Sequence, residues 1–465
     1  MSCKVLSINE QETNQGAALK LEFRKYLSLP GMLKKVSSTF HKIIDPLKTN
    51  RPRVILRDCL MSGLAMFLLK YPSLLSFDEA QDCISDNLKN LYGLEKIPSD
   101  TYLRERLDVI NPTAIRPIFK SIFSMLQRGK ALEDYYFDVS PQGRHINAAH
   151  NLGGYLLSID GTGLFSSHEI HCDQCNVKNH KDGSKTYYHQ MLSAVLVHPN
   201  KKEVIPLAPE PILKTDGDTK NDCERNAAKR LLTDTKREHP HMKFIVVEDG
   251  LASNAPHINL LKELSMQFIL GAKPTDHTFL FDWVSKSKYT EHEETDKHGT
   301  KHRFRFINQV PLNESNFDLN INFLEYWEEK SNGDKQHFSW VTDIDITKLN
   351  CHAIMIGGRA RWKIENETFN TLKNQGYHFE HNFGHGNQYL CTVFANLMML
   401  AFLIDQAQQL CCSFFQAALK FQKRKIRLWE RMRECFRTYI FKRWEDFYWA
   451  LTRNISKIAV DYGVT

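Results

Sequence analysis

Two aspartates of this chain occupy positions where a protein could hold divalent cations. Asp160 directly follows the apolar run 156–159, Asp249 follows the run 244–247 after one glutamate, and each directly precedes a glycine. A carboxylate at the carboxyl end of a buried strand lies where α/β folds bind ligands, and glycine lets the chain turn away without blocking the site. Although Asp-Gly is also a common turn sequence, we expect Asp160 and Asp249 to be partners at one edge of a sheet.

A third carboxylate, Glu365, is singled out by helical periodicity. Trp362, Phe369 and Leu372 recur at the spacing of one helix face. Glu365 falls inside that apolar stripe, whereas Glu367 projects roughly opposite. A carboxylate aimed at the core is costly unless a cation or a hydrogen-bond donor meets it. We therefore predict Glu365 as the third ligand, with Glu367 in reserve.

Three such carboxylates can hold two hard divalent ions about 4 Å apart. A pair of ions at this spacing activates the attacking oxygen and stabilises the leaving oxygen when a phosphodiester bond is displaced. Basic residues around the site would then hold the phosphates of a nucleic acid. The residue types thus predict a metal-dependent phosphoryl-transfer enzyme.

The rest of the sequence predicts the framework that must position these side chains. At about 150 residues per domain, 465 residues suggest roughly three units. Apolar residues at helical spacing predict a helical N-terminal domain over 1–150. Short apolar runs that alternate with helical patterns predict an α/β catalytic domain over 151–410, with a β-rich insertion at about 276–346. Residues 411–465 are predicted to form a basic helical region.

Composition and charge narrow the class of protein. Hydrophobic residues at 42% and charged residues at 25% are typical of a globular chain and exclude a disordered, collagen-like or membrane-embedded one. The apolar run 391–404 is shorter than a membrane span and predicts a buried helix. The formal net charge is +7. Residues 1–130 carry 20 basic and 13 acidic side chains and residues 420–445 carry 10 and 3, which favours a polyanion binder with an acidic middle.

Several basic segments have two readings each. The N-terminal helices are either a DNA-binding module or a purely structural domain. Arg225 and Lys229, on a helix predicted at 219–236, either touch DNA or form a solvated face. The basic, aromatic stretch 420–444 suits a helix that packs by its apolar side and follows a DNA backbone by its basic side. A membrane surface would attract a similar helix, but nothing else in the sequence indicates lipid.

A second cluster could bind zinc. Cys172 and Cys175 form a Cys-x2-Cys pair, and His168, His171 and His180 flank it. Two thiolates and two imidazoles are a common tetrahedral zinc set, so we consider a zinc site made of Cys172, Cys175, His168 and His171. A loop of ordinary polar residues is the alternative.

The order of these motifs resembles the DDE transposases of bacterial insertion sequences, in the group with a β-strand insertion before the glutamate. The resemblance covers about 155–400, and its motifs are Ser158-Ile159-Asp160-Gly161-Thr162, Val247-Glu248-Asp249-Gly250 and Arg361-Trp362-Lys363-Ile364-Glu365. It implies an RNase H-like catalytic core, with DNA cleavage and strand transfer by two Mg²⁺ or Mn²⁺ ions. It also implies that a homodimer brings together the double-stranded transposon ends and the target DNA.

The same resemblance assigns roles to single residues. Asp160, Asp249 and Glu365 would be the catalytic metal ligands, and Arg361 and Lys373 would contact DNA phosphates. One of three tryptophans would stack on a flipped base, namely Trp283, Trp327 or Trp340. The tyrosine that the family carries three residues before the arginine is Gly358 in this chain.

Two other functions stay open at this point. The chain could be a catalytically silent, transposase-derived DNA-binding protein, or a zinc-dependent hydrolase built on the cysteine and histidine cluster. The 11 scattered cysteines indicate a reducing compartment. The cysteines thus predict a cytoplasmic protein, and the resemblance to enzymes of bacterial insertion sequences implies a nucleoid-associated protein of a bacterium.

Overall fold

A computed structural model describes residues 4–5, 25–47, 52–140, 153–214 and 223–453. Its helices are α1 Leu29–Phe40, α2 Leu56–Leu68, α3 Leu74–Tyr92, α4 Asp100–Asp108, α5 Arg116–Arg128, α6 Glu224–Glu238, α7 Ala255–Glu263, α8 Thr278–Lys286, α9 Cys351–Arg359, α10 Asn370–Asn374, α11 Leu390–Cys411, α12 Ser413–Gln422, α13 Lys425–Thr438 and α14 Trp444–Leu451. Its strands are β1 Lys4–Val5, β2 Tyr136–Asp138, β3 Gly153–Ser167, β4 Asn176–Asn179, β5 Lys185–Leu196, β6 Ile205–Pro206, β7 Glu210–Ile212, β8 Phe244–Glu248, β9 Gln267–Gly271, β10 Thr290–Thr295, β11 Lys301–Asn313, β12 Asn316–Glu329, β13 Lys335–Thr342 and β14 Tyr439–Ile440. Short 3₁₀ turns at Pro112–Ala114 and Glu133–Tyr135 and a π-helix at Ile364–Phe369 complete the list.

The chain divides into two compact units, one made of residues 1–129 with 371–465 and the other of residues 130–370. Both ends of the chain therefore belong to one helical unit. This grouping differs from the predicted boundaries at 150 and 410, because residues that are distant in sequence pack together. The apolar helix α11 contacts α2, α4 and α5, so the helices after 370 join those before 130.

Helix α11 forms the centre of the helical unit. It is long and apolar enough to span a membrane, but 94% of its most apolar stretch is buried inside the protein. Helix α2 is likewise buried over nearly its whole length. The prediction of a buried helix at 391–404 is thereby confirmed. Burial on all sides explains why neither helix shows the one-sided polar face of a surface helix.

A buried ion pair crosses this helical core. The Nζ of Lys70 lies 2.6 Å from Oδ2 of Asp405, and both side chains are almost fully excluded from solvent. The Tyr377 hydroxyl donates a second hydrogen bond to the same carboxylate oxygen at 2.7 Å, and the Lys70 ammonium lies 4.4 Å from the centre of the Trp429 ring. Charges buried at this depth persist only when they are paired and hydrogen-bonded.

The other unit is a mixed α/β structure with a large, mostly antiparallel sheet. Along the sheet the strands follow the order β10-β11-β12-β13-β9-β8-β3-β5-β4. Strand β3 pairs with β8 in parallel and β8 with β9 in parallel, whereas β5 is antiparallel to both β3 and β4. The parallel connections run through helices α6 and α7, as parallel pairing requires.

The segment predicted to be β-rich, 276–346, contains the four strands β10–β13, preceded by helix α8. In β11 the side chains alternate between the two faces of the sheet, because Phe304 and Phe306 are buried and Arg303 is exposed. Strand β13 pairs with β9, so these strands extend the main sheet and do not form a separate one.

Removing the buried cation tests how far the helical unit depends on its ion pair. In Lys70→Met the Asp405 carboxylate stays buried without its ammonium partner, and we expect the free energy of unfolding to fall by about 3–5 kcal/mol. Urea unfolding measures this change, and the exposed Lys34→Met is the control. Adding Asp405→Asn should recover part of the loss, since it removes the uncompensated charge. A Lys70→Met protein as stable as the control would contradict this account.

Candidate active site

The register of two parallel strands brings Asp160 level with Asp249. Strands β3 and β8 are paired as far as Ser158 opposite Val247. Asp160 lies two residues further along β3, and Asp249 directly follows the last residue of β8. Because adjacent strands run about 4.8 Å apart, the two aspartates flank one another just beyond the last residues that β3 and β8 pair.

Strand β3 does not end at Asp160. It continues to Ser167, and Asp160 pairs across the antiparallel ladder with Ser193 of β5. The Asp-Gly sequence is therefore not a turn here, and the glycine has a different purpose. A Cβ atom on Gly161 would overlap the carboxylate of Glu224, so the missing side chain makes room for an acidic group.

The charges around Asp160 include those of the other two predicted ligands. Burial raises the pKa of Asp160, and the negative charges of Asp249 and Glu365 raise it further. Two effects lower the pKa of Asp160: the Gly161 N–H donates to Oδ1 at 2.9 Å, and the Arg361 guanidinium lies 3.8 Å from Oδ2. A like charge that raises the pKa of Asp160 in this way acts on it through space.

Glu365 reaches this site by a route that differs from the predicted one. The structure exposes Trp362 and Glu365, and it buries Ile364, Thr368 and Phe369. The cause is the π-helix Ile364–Phe369, whose wider turn replaces the 3.6-residue period on which the apolar stripe was drawn. The stripe that placed Glu365 on the core-facing side is therefore not the one in the fold.

A hydrogen bond fastens the segment of Glu365 to the strand of Asp160. The Ser158 hydroxyl donates to the carbonyl oxygen of Arg361 at 3.0 Å. This bond joins the helical turn that begins the motif to β3, two residues before Asp160. Glu367 is half-buried and is not among the charges that act on Asp160, so the geometry favours Glu365 over the reserve.

Of two adjacent acids after β8, only Asp249 is available for the site. The Oε1 atom of Glu248 lies 2.9 Å from Nε2 of His257, and both side chains are buried. This contact raises the pKa of His257 against the opposing effect of burial. Asp249 is half-buried, and its Oδ1 accepts a hydrogen bond from the Leu251 N–H.

Glu224 is a fourth carboxylate that sequence reasoning missed. Burial raises its pKa, and so do the charges of Asp160, Asp249 and Glu248. It is the first residue of α6, where an acidic side chain is ordinary because of the helix dipole. No sequence signal therefore distinguishes it from a common helix start.

Asp160, Glu224 and Asp249 line a cavity of about 520 Å³, and the basic side chain of Arg225 borders it as well. Glu365 is not among the residues that line this cavity. Lys229, one turn further along α6, is exposed. The first four residues of the helix predicted at 219–236 lie outside the described residues. Lys373 belongs to the helical unit, where its Nζ lies 3.3 Å from Oε1 of Glu380.

The carboxylates are chemically suited to hard divalent ions. Oxygen donors are the ligands that Mg²⁺ and Mn²⁺ prefer, and a cation would relieve the repulsion that raises the pKa of Asp160. Within the part of the chain that the structure describes, these acids do not form a set whose ligand atoms all lie within 4.8 Å of one another. Two ions about 4 Å apart, with metal–oxygen bonds of about 2.1 Å, accept oxygens up to about 8 Å apart.

The residues of the predicted zinc cluster are only partly together. Cys172 and Cys175 lie side by side, and hydrogen bonding with Cys172 lowers the pKa of Cys175 to about 7. His168 instead contacts the carbonyl oxygen of Lys185 through Nδ1, and His171 stacks on a tyrosine ring. The histidine beside the two cysteines is His189. The structure therefore places His189 next to the sulfur atoms, where the sequence predicted His168 and His171.

The tryptophans proposed for base stacking occupy different environments. Trp340 is buried, and its indole fills the space that a side chain on Gly358 would need. This contact explains the glycine at the position where the resembled family carries tyrosine. Trp283 and Trp327 are half-buried, and the ring of Trp327 stacks on His337. Trp340 is therefore the least accessible of the three.

No protein-family model and no curated protein matches the chain. Among solved structures, the cryo-EM structure of the piggyBac transposase synaptic complex with hairpin DNA is similar, with 11% sequence identity and a TM-score of 0.40. The match covers 92% of this chain and 78% of that chain. The function proposed below is therefore argued from the residues of the site and not from this likeness.

Crowding of acids predicts that this site weakens the fold when no cation is present. Because burial and neighbouring charges raise the pKa of Asp160, its ionisation at neutral pH opposes folding. Asp160→Asn removes that charge and keeps an oxygen acceptor for the Gly161 N–H. In EDTA at pH 7 we expect its Tm to exceed that of the parent by about 2 °C.

The sign of the pH dependence checks the cause. The gain should shrink as the pH falls and vanish below the ordinary aspartate value of 3.8, where the parent carboxyl is protonated as well. The exposed Asp318→Asn is the control and should leave Tm unchanged. A lower Tm for Asp160→Asn at pH 7 would contradict the role of like-charge repulsion.

Proposed function

We propose that this chain is a DDE-type DNA transposase that cleaves transposon ends and joins them to target DNA. The observation that carries the proposal is that Asp249 and Glu365, which come from distant parts of the chain, both raise the pKa of Asp160. Isolated surface acids do not raise the pKa of a neighbour across 200 residues of sequence. Such a gathering is expected where a protein binds cations for chemistry.

The arrangement of strands supports an RNase H-like core as part of this proposal. The strand of Asp160 is central, with the antiparallel strands β5 and β4 on one side and the parallel strands β8 and β9 on the other. The first two acids thus stand on neighbouring parallel strands, and the third comes from a helical segment bound to β3 through Ser158. The strands β10–β13 lie between the second and third acids in sequence, as the resemblance implies.

Each residue then has a defined task. Asp160, Asp249 and Glu365 would hold two Mg²⁺ or Mn²⁺ ions, which supply an activated attacking oxygen and a stabilised leaving oxygen when bound. Arg361 is half-buried beside Asp160. Once a cation neutralised the Asp160 carboxylate, the Arg361 guanidinium would be available to bind the scissile phosphate. Arg225 borders the same cavity and, with Lys229 and Lys373, would bind the DNA backbone.

The proposal includes the macromolecular partners. The substrate is double-stranded DNA, first the transposon ends and then the target, and a homodimer brings the two ends together. The C-terminal helices suit such a polyanion, because α13 buries Leu428 and Trp429 while Arg427 and Arg437 are exposed. A cation on the outer face of a well-packed helix contacts phosphates without a cost to the core.

The decisive test is a plasmid excision assay with the gene and its native flanking DNA in the presence of Mg²⁺. Asp160→Asn, Asp249→Asn and Glu365→Gln should each reduce excision by more than about 100-fold, since even groups that only orient metal ligands contribute about 10–100-fold. Binding to the flanking DNA in a gel-shift assay should persist, because phosphate contacts and not these acids supply the affinity.

Glu367→Gln is the matched control, two residues from Glu365 on the same helical segment, and it should excise like the parent. Excision at the parental rate by any of the three acid variants would remove that residue from the site. A parent chain that binds its flanks yet excises nothing would identify the silent DNA-binding derivative instead.

A further inference from the structure

A second group of side chains that commonly bind metals lies in the loop after β3 and on the neighbouring strand β5. Cys172 and Cys175 belong to the loop between β3 and β4, and His189 lies on β5 opposite Phe165 of β3. The two sulfur atoms are 3.8 Å apart. The Nε2 atom of His189 lies 3.4 Å from Sγ of Cys172 and 3.3 Å from Sγ of Cys175.

These three distances are close to the edges of a zinc tetrahedron. With Zn–S bonds of about 2.3 Å and a Zn–N bond of about 2.05 Å, tetrahedral geometry requires about 3.8 Å between two sulfurs and about 3.6 Å between sulfur and nitrogen. The sulfur pair matches this value, and each sulfur–nitrogen distance is shorter by a few tenths of an ångström. The donor atoms are thus already arranged around a common centre.

The backbone of the Cys-x2-Cys turn is shaped for thiolate ligands. The Cys175 N–H donates to the Cys172 carbonyl at 3.1 Å and closes the turn. The Cys172 N–H points at Sγ of Cys175 at 3.5 Å, and such N–H···S contacts stabilise the negative charge of a bound thiolate. Cys175 and His189 are both 1% exposed, so the site is enclosed by protein on the side of these two ligands.

We propose that Cys172, Cys175 and His189 form a zinc site that fastens the loop after β3 to strand β5. Two thiolates and an imidazole are soft donors that select zinc over Mg²⁺, which separates this site from the carboxylates on the same strand. Water or another donor would complete the tetrahedron. The site has a structural task in this proposal. It joins the loop that follows β3, the strand of Asp160, to β5, the strand that pairs with β3.

A redox pair is the competing reading of the two cysteines. A disulfide needs a sulfur–sulfur bond of about 2.05 Å, and a histidine nitrogen equidistant from both sulfurs has no part in it. The position of His189 therefore favours a metal, and the oxidation state of the thiols becomes one outcome of the test.

Metal content of the purified full chain tests the proposal directly. The protein is prepared with a tag that lacks histidine and without chelator, and zinc is measured by mass spectrometry of the metal. We expect about one zinc per chain in the parent and less than about 0.1 in Cys172→Ser, Cys175→Ser and His189→Ala. The controls His168→Ala, His171→Ala and the exposed Cys83→Ser should retain the metal.

A measurement on the parent covers the case in which the ligand variants do not fold. After removal of zinc by a chelator, we expect Tm to fall by about 5 °C or more and to be restored by Zn²⁺ but not by Mg²⁺. Cobalt added to the metal-free chain should give the charge-transfer absorption of thiolate-bound Co²⁺. Neither readout involves DNA cleavage, so the transposase proposal and this one can fail separately.

Three results would overturn the site. One is a parent chain without zinc whose Cys172 and Cys175 are joined in a disulfide. Another is loss of zinc from the His168 or His171 variant while His189→Ala retains it. The third is a metal-free chain with the Tm of the parent and no thiolate absorption with cobalt.

Discussion

The gathering of carboxylates at one end of a parallel strand pair is the constraint on which the α/β unit depends. The fold holds Asp160 and Asp249 level by strand register and ties the segment of Glu365 to the same strand through Ser158. Gly161 leaves room for one more acid, and Arg361 offsets part of the charge. In the proposed function, a loss of stability at such a site is accepted because bound cations, and not protein groups, would neutralise it.

The two proposed metal sites would place ligands with opposite preferences on and around strands β3 and β5. The oxygen donors around Asp160 suit hard ions that exchange water and substrate, whereas the sulfur and nitrogen donors around Cys175 suit an ion that stays in place. A structural zinc ion at the end of β3 would stabilise the pair of strands β3 and β5, on which Asp160 lies. The two chemistries can share one hairpin because ligand type, and not position, decides which metal each binds.

The helical unit solves a different problem, which is to join the two ends of the chain. Helix α11 supplies an apolar surface to α2, α4 and α5, and the pair Lys70 and Asp405 adds a contact that only one arrangement of the helices satisfies. A buried charge pair contributes little net free energy. We infer that it specifies how helices from opposite ends of the sequence align.

The sequence by itself determined the β-rich character of 276–346 and the buried helix around 391–404, and it predicted Asp160, Asp249 and Glu365 as one set, because those features reside in local pattern and motif order. Only the tertiary structure decided that Asp160 lies within a strand, that a π-helix turns Trp362 outward, and that Glu224 and His189 join sites for which the motif offered other residues. The division into units was also beyond the sequence. Each of these depends on contacts between segments far apart along the chain, and a local hydrophobic period carries no information about such partners.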